Sequence, residues 1–183
     1  MTFKGIKTVS TLCLGWMLVT GAISIRASAA PQRTRQDYLS SEEADKIRDS
    51  QSPAARIKLY VSFAEDRLKK FQYEQARTAP EMDHGAILNG LLNGYSGCMN
   101  DAAEEIDEAK NKQMNIHPEL KLLESKGKDF LTELQKIDKA KGPNYGDYND
   151  TLEDAIDGTK DTISGARDAL KEMLPAPVRR KQN

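Results

Sequence analysis

The sequence predicts an all-α protein: an antiparallel four-helix bundle with one short extra helix at its N-terminal side. Ala, Leu, Lys, Glu and Asp dominate the chain, and runs of β-branched residues are nearly absent. Four segments carry apolar residues at the three-and-four spacing of a single buried helical face. The links between these segments are short, which favours antiparallel packing of consecutive helices.

The short first helix is predicted from a capping box. Glu43 follows Ser40 at the spacing that lets each side chain bond the other residue's backbone N–H, and the helix should run to about Asp49. Pro53 then starts a second helix with Ser52 as its cap, because proline fits a first helical turn. The second helix should end near residue 76, and its apolar face consists of Ile57, Tyr60, Val61, Ala64, Leu68 and Phe71.

The central helix has the strongest periodic signal, in the stretch Ile87–Gln113. Thr78 and Glu81 offer another capping box with Pro80 in the first turn, so this helix should begin there. Its apolar face consists of Leu88, Leu91, Leu92, Tyr95, Cys98, Met99, Ala102, Ile106 and Ala109. Only Met114–His117 separates it from the next helix, and a link this short predicts that the two are antiparallel neighbours.

The fourth helix should begin at Pro118 and end near Lys141, before the turn sequence Gly142–Asn144. Its apolar face consists of Leu120, Leu123, Gly127, Phe130, Leu134 and Ile137. Asp147 is the predicted cap of the last helix, which Pro175 ends. The last apolar face consists of Tyr148, Leu152, Ala155, Ile156, Thr159, Ile163, Ala166, Leu170 and Met173.

Residues 1–29 have the pattern of an export signal. Lys4 and Lys7 precede an apolar run from about Thr8 to Ile25, and Ala27–Ala29 supplies the small residues that a signal peptidase reads. We therefore expect cleavage after Ala29 and a periplasmic or secreted protein. The alternative is an uncleaved N-terminal anchor. The mature chain would comprise a flexible linker at 30–39, the helical domain at 40–174 and a disordered basic tail at 175–183.

Cleavage would leave an acidic protein with one cysteine. It removes three basic residues and no acidic one, so 24 basic residues remain against 28 acidic ones and the formal net charge changes from −1 to −4. Such a charge balance is not that of a nucleic-acid-binding protein. Cys98 lies on the central apolar face, where burial is expected, with an intermolecular disulfide as the alternative.

The most regular polar feature is a series of aspartates on the last helix, which we name the aspartate ridge. It consists of Asp147, Asp150, Asp154, Asp157 and Asp161, which recur every three or four residues and therefore line one helical face. A shorter ridge on the central helix consists of Asp101, Glu104, Glu105 and Glu108. The functional interpretation is a binding edge for a cationic peptide, a divalent ion or a basic partner. The alternative is a solvated face that neighbouring basic side chains partly neutralise.

Glycines are unusually frequent inside the central and last helices. They are Gly85, Gly90, Gly94 and Gly97 in the central helix and Gly158 and Gly165 in the last. Each costs up to about 1 kcal/mol relative to alanine in an exposed helix interior. Close approach of another element or a surface groove would account for them, and local kinking is the other explanation. We favour close packing.

Two short patterns suggest other classes of protein. Glu81 and His84 have the Glu-x-x-His spacing of di-iron bundles, but a second pair is missing and a solvated helix start is expected instead, so no metal or cofactor is predicted. Leu131–Gln135 is similar to the Leu-Thr-x-x-Gln pattern of small periplasmic stress chaperones. That resemblance implies an exported helical dimer with a concave surface that protects unfolded clients. A second copy, Leu39–Glu43, lacks both Thr and Gln.

The sequence contains no visible nucleophile–base pair, metal-ligand cluster or phosphate-binding loop. Its two histidines offer little for acid–base catalysis near neutral pH. We therefore expect a non-enzymatic protein that binds or scaffolds an unknown protein or peptide of the bacterial cell envelope, with a basic partner favoured by the aspartate ridge. Neither nucleic-acid binding nor stable membrane insertion after cleavage is expected. The alternatives are a metal- or cofactor-binding bundle and a small periplasmic stress chaperone.

Export predicts a defined N-terminus. Protein recovered from the envelope fraction or the medium should have the mass of a chain that begins at Ala30. It should show no tryptophan emission, because Trp16 is the only tryptophan and lies in the predicted leader. Intact mass spectrometry and a fluorescence spectrum check this. A full-length mass in the membrane fraction would support the anchor, and recovery of the intact chain from the cytoplasm would contradict export.

Overall fold

The structure is a computed structural model that describes residues 38–77 and 83–173. These residues form five helices and no strand, so the all-α prediction is confirmed. The helices are α1 (Ser41–Asp49), α2 (Pro53–Gln75), α3 (His84–Asn111), α4 (His117–Ala140) and α5 (Tyr145–Glu172). The predicted leader, the basic tail and residues 30–37 of the predicted linker lie outside the described residues.

The predicted caps of α1 and α2 are confirmed. Ser40 Oγ accepts a hydrogen bond from the Glu43 backbone N–H at 3.2 Å, and the Glu43 carboxylate accepts one from the Ser40 N–H at 2.8 Å. Ser52 caps α2, and Pro53 occupies its first turn. These side-chain oxygens bond backbone N–H groups that have no partner within the helix. The predicted cap of α3 falls largely on residues 78–82, which lie outside the described residues.

The start of α5 differs from the prediction. Asp147 is not the cap, because the helix already begins at Tyr145 with Asn144 as its cap residue. Lys141 and Asn144 both adopt positive φ angles, of 43° and 60°, so the chain reverses sharply enough to start the helix earlier. Asp147 consequently lies in the first turn, where a carboxylate interacts favourably with the helix dipole.

The predicted apolar faces form one core. All of the predicted core residues of α2 and α4 are buried, and in α3 only Leu91 remains partly exposed. Aromatic side chains join the helices: Phe71 contacts Tyr148 edge to face with centroids 5.3 Å apart, and Tyr95 contacts Phe130 at 5.9 Å. The four apolar faces therefore cover one another, as the periodicity indicates.

The four long helices pack in a ring whose order differs from their order in the chain. Helix α2 packs against α3, α3 against α5 and α5 against α4, and a thinner α2–α4 contact closes the ring. Arg56 near the start of α2 pairs with Glu108 near the end of α3 at 2.7 Å, so these helices are antiparallel. His117 at the start of α4 bonds the Met173 carbonyl, just beyond the end of α5, at 2.7 Å, so α4 and α5 are antiparallel too.

The other two adjacent pairs are parallel. Lys110 and Glu172, near the C-terminal ends of α3 and α5, form an ion pair at 2.7 Å. Three polar pairs bridge α2 and α4 in register, at intervals of seven residues on each helix: Lys58–Glu119, Glu65–Lys126 and Gln72–Glu133. Consecutive helices thus run in opposite directions, while α3 lies beside α5 and α2 beside α4 with the same direction.

The prediction that α3 and α4 are neighbours is therefore wrong, although they run in opposite directions. Their backbones are not adjacent, and α3 packs between α2 and α5. The side chains of Tyr95 and Phe130 still meet across the core. The link crosses the end of the bundle and buries Ile116 completely. Gln113 has a φ of 52°, and the Met114 N–H bonds the Ala109 carbonyl at 2.9 Å, which turns the chain across the bundle. Burial of the Ile116 side chain stabilises this diagonal path of the link across the bundle.

The helical glycines divide into two groups. A Cβ at Gly127 would lie 2.7 Å from Ile163 Cγ1, and a Cβ at Gly97 would lie 2.6 Å from the Tyr38 ring. Gly85 is as close to the Asp147 side chain, and a Cβ at Gly94 would lie 3.3 Å from Arg67 Nε. Close packing is therefore confirmed for the predicted positions Gly85, Gly94 and Gly97. The prediction of close packing is wrong for Gly90, Gly158 and Gly165, where a Cβ would have no neighbouring atom within 4 Å.

This division predicts opposite effects of one substitution. Gly165→Ala should raise the free energy of unfolding by up to about 1 kcal/mol, because alanine is the better helix former and has room. Gly127→Ala should lower it by about 1–3 kcal/mol, because the new methyl group would displace Ile163. Chemical denaturation followed by circular dichroism measures both. Equal stabilisation by the two variants would contradict the close contact at Gly127.

Candidate functional site

A concave surface follows the seam between the parallel helices α3 and α5. Gly158 and Gly165 face this seam without side chains, which leaves two adjoining hollows of about 350 and 230 Å³. The hollows share Asn100 and Gly158, so they form one groove. We name it the acidic groove, after the carboxylates and amides that line it: Asp107, Asp154, Asp161, Asp168, Asn93 and Asn100.

The floor of the acidic groove is well packed. Ile106 and Ala169 are buried beneath one hollow. Beneath the other, Thr159 Oγ1 donates to a backbone carbonyl at 2.6 Å and accepts the Tyr95 hydroxyl at 2.6 Å. Burial raises the pKa of Tyr95, so its phenol stays neutral and keeps the proton that it donates. The groove therefore rests on the hydrogen bond between Tyr95 and Thr159 and on the apolar core.

The charge of the acidic groove is only partly neutralised. Asp168 pairs with Lys171 at 2.9 Å, which lowers the pKa of Asp168. Lys110 is the one basic residue among those that line the groove, and its bond to Glu172 raises the pKa of Lys110. Within residues 38–77 and 83–173, no ion pair is formed by the remaining three groove carboxylates: Asp107, Asp154 and Asp161.

The structure places the aspartate ridge on the exposed face of α5 and divides it. All five ridge residues are exposed, but only Asp154 and Asp161 line the acidic groove. Asp147 lies against Gly85 at the head of the same seam. Asp150 and Asp157 lie outside the groove lining, and Asp157 pairs with Lys160 at 2.8 Å.

The shorter ridge on the central helix is not a free acidic surface. Asp101 is buried and accepts a hydrogen bond from the Tyr38 hydroxyl at 2.5 Å. Glu105 and Glu108 each lie 2.7 Å from the Arg56 guanidinium. Sequence reasoning also missed the α3 wall of the groove. The one sequence signal of that groove is the seven-residue spacing of Gly158 and Gly165. Two glycines on one face of a helix leave space between that helix and the helix packed beside it.

The expected solvated position of His84 is wrong. The side chain is buried, and its Nε2 lies 2.9 Å from the Glu74 carbonyl at the C-terminal end of α2. The Glu74 carbonyl also accepts the Arg77 N–H at 3.1 Å, so the imidazole adds a second hydrogen bond at this helix end. Glu81 lies outside the described residues. Within 38–77 and 83–173, no group of three or more His, Cys, Asp or Glu residues could hold a metal ion.

The expected burial of Cys98 is confirmed. The side chain has no exposed surface, and burial raises the pKa of its thiol to about 12. A thiol in this state is a poor nucleophile, because the thiolate is the reactive form. The folded conformation therefore does not present Cys98 for an intermolecular disulfide.

The pattern that resembles the stress chaperones lies in the middle of α4. Leu134 belongs to the core, and the Thr132 hydroxyl donates to the Lys128 carbonyl at 2.9 Å. In the described part of the chain, Tyr73 is the only large hydrophobic side chain that is exposed. The described surface thus offers little apolar area for an unfolded client.

None of the five described helices is long and apolar enough to cross a lipid bilayer. Comparison with models of protein families, with curated proteins and with solved structures found no match.

Proposed function

We propose that this is an exported, non-enzymatic protein of the bacterial cell envelope that binds a basic segment of a partner in the acidic groove. The observation that carries the proposal is the set of carboxylates along one concave seam that form no ion pair with another described residue: Asp107, Asp154 and Asp161. Grouped carboxylates in a cleft raise the local concentration of cations and steer basic ligands toward it. Export rests on the leader pattern of residues 1–29.

The polar lining also suits a peptide. Asn93 and Asn100 on the α3 wall present amide groups that both donate and accept hydrogen bonds. Carboxylates on the α5 wall accept from ammonium and guanidinium groups, and Gly158 lets a ligand approach the helix backbone. A binding site of this kind should weaken as salt concentration rises, since its charges are exposed. Neither the metal-binding nor the chaperone alternative has comparable support among the described side chains.

The test compares two double variants with the same charge change on the same helix. Asp154→Asn/Asp161→Asn neutralises the ridge residues that line the acidic groove, and Asp150→Asn/Asp157→Asn neutralises two that do not. The probe is a fluorescein-labelled peptide of alternating lysine and alanine, and binding is measured by fluorescence anisotropy at low and physiological salt. Exposed ion pairs contribute roughly 0.2–1 kcal/mol each, so the groove variant should bind about two- to thirtyfold more weakly.

The control variant should retain most of the affinity. Equal losses in both variants would show attraction by net charge alone and would contradict binding in the groove. Absence of binding by the wild-type chain at low salt would contradict a basic partner altogether. Pull-down from the envelope fraction with the wild type and the groove variant then identifies a partner, which should be retained by the wild type only.

A further inference from the structure

Helix α1 is fixed to the bundle although none of its residues is buried. Its contact with the other helices is thin and is made with α2. Apolar contact with the core comes from three partly buried side chains in and before the helix: Tyr38, Leu39 and Ile47. We name the segment Tyr38–Asp49 the N-terminal latch. Its first two residues belong to the predicted linker, yet they pack against the bundle.

A guanidinium on α2 holds the N-terminal latch. Arg67 Nη1 and Nη2 donate to the two carboxylate oxygens of Glu43 at 2.9 and 2.6 Å, and Nη2 also donates to the Tyr38 carbonyl at 3.2 Å. Arg67 is only 8% exposed. Burial by itself would raise the pKa of Glu43, but hydrogen bonds from Arg67 and Ser40 lower it to about 2. Glu43 is therefore ionised at neutral pH, and this bidentate pair is the main electrostatic contact of the latch.

The second attachment is made to α3. The Tyr38 hydroxyl donates to Asp101 Oδ2 at 2.5 Å, and its ring occupies the space above Gly97. Gly94, one turn earlier, leaves room for Arg67, with the Arg67 Nε 3.3 Å from the position of a Cβ. Two glycines within a helix are unfavourable for helix formation, so α3 is shaped to receive these two side chains.

Cys98 follows Gly97, the residue of α3 against which the Tyr38 ring lies. The Cys98 side chain is fully buried, and burial is the main cause of its raised pKa. The charges of Arg67, Glu43 and Asp101 influence that pKa to a smaller extent. The Tyr38 ring therefore covers the stretch of α3 that contains the thiol.

These contacts differ in kind from those within the bundle. The helices α2–α5 share an apolar core to which α1 contributes no buried residue, so loss of the latch would uncover only the part of that core against which Tyr38, Leu39 and Ile47 pack. Arg67, Glu43 and Asp101 would regain water when the latch opened, which offsets part of the lost interaction energy. Elements held this way open at lower free energy than the whole domain unfolds.

We propose that the N-terminal latch opens as a unit while α2–α5 stay folded, and that its closed position controls chemical access to Cys98. The proposal is independent of the function of the acidic groove, which lies on the α5 side of α3. The closed latch shields the thiol, and the open latch exposes it together with the glycine surface of α3.

The test compares the rate of maleimide labelling of Cys98 in the wild type, Glu43→Gln and Glu42→Gln. Peptide mass spectrometry reads the label at this residue, so Cys13 does not interfere in any form of the chain. The amide oxygen introduced by Glu43→Gln could still accept from the Ser40 N–H, so this variant mainly weakens the contact with Arg67. Glu42 is an exposed residue of the same helical turn, and its variant has the same charge change. Glu43→Gln should label at least about tenfold faster, since a buried pair is disrupted, and Glu42→Gln should match the wild type.

Global unfolding is distinguished by two further measurements. The unfolding rate of the Glu43→Gln variant, measured by circular dichroism, should be much lower than the rate at which its Cys98 is labelled. Amide hydrogen exchange of the wild type should show the backbone amides of α1 exchanging together and well before those of α3. Unchanged labelling in Glu43→Gln, labelling no faster than global unfolding, or α1 amides as protected as those of α3 would each overturn the proposal.

Discussion

The link between α3 and α4 decides the arrangement of the whole bundle. Because Ile116 is buried at the end of the core, the chain crosses the bundle diagonally. Helix α4 therefore lies opposite α3, and α5 returns beside α3 in the same direction. The acidic groove exists because this parallel seam carries Gly158 and Gly165 on the α5 side. The same arrangement places α2 beside α4, and three polar pairs bridge these two helices.

Charge has different roles in different parts of this acidic chain. Ion pairs across exposed seams contribute little stability each, so the fold depends mainly on the apolar core that α2–α5 share. Arg67 differs from the exposed pairs, because its guanidinium is buried and bonded to a carboxylate of the N-terminal latch. Carboxylates in the acidic groove, such as Asp154 and Asp161, have no such partner among the described residues. Negative charge is therefore least neutralised in the acidic groove, and this is the surface that we propose binds a basic partner.

Glycine placement separates the two seams of α3. On the α2 side, Gly94 and Gly97 admit Arg67 and Tyr38, and the surface is covered by the N-terminal latch. On the α5 side, Gly158 leaves a gap that nothing in the described structure fills. Helix α3 therefore has one side that the N-terminal latch covers and another that borders the uncovered acidic groove. Opening of the latch would change the first without disturbing the second, so the two proposals can be tested separately.

The sequence by itself determined the helices, most of their ends and the residues that they bury. A helical repeat of about 3.6 residues places apolar side chains on one face, and caps such as Ser40 and Ser52 act within a single turn, so both are local. It also placed the aspartate ridge on one exposed face. The tertiary structure alone decided which helices are adjacent, that Asp101 is buried rather than part of an acidic surface, and that His84 caps the end of α2. Those outcomes depend on contacts between residues far apart in the chain, and periodicity along one helix carries no information about the helix that faces it.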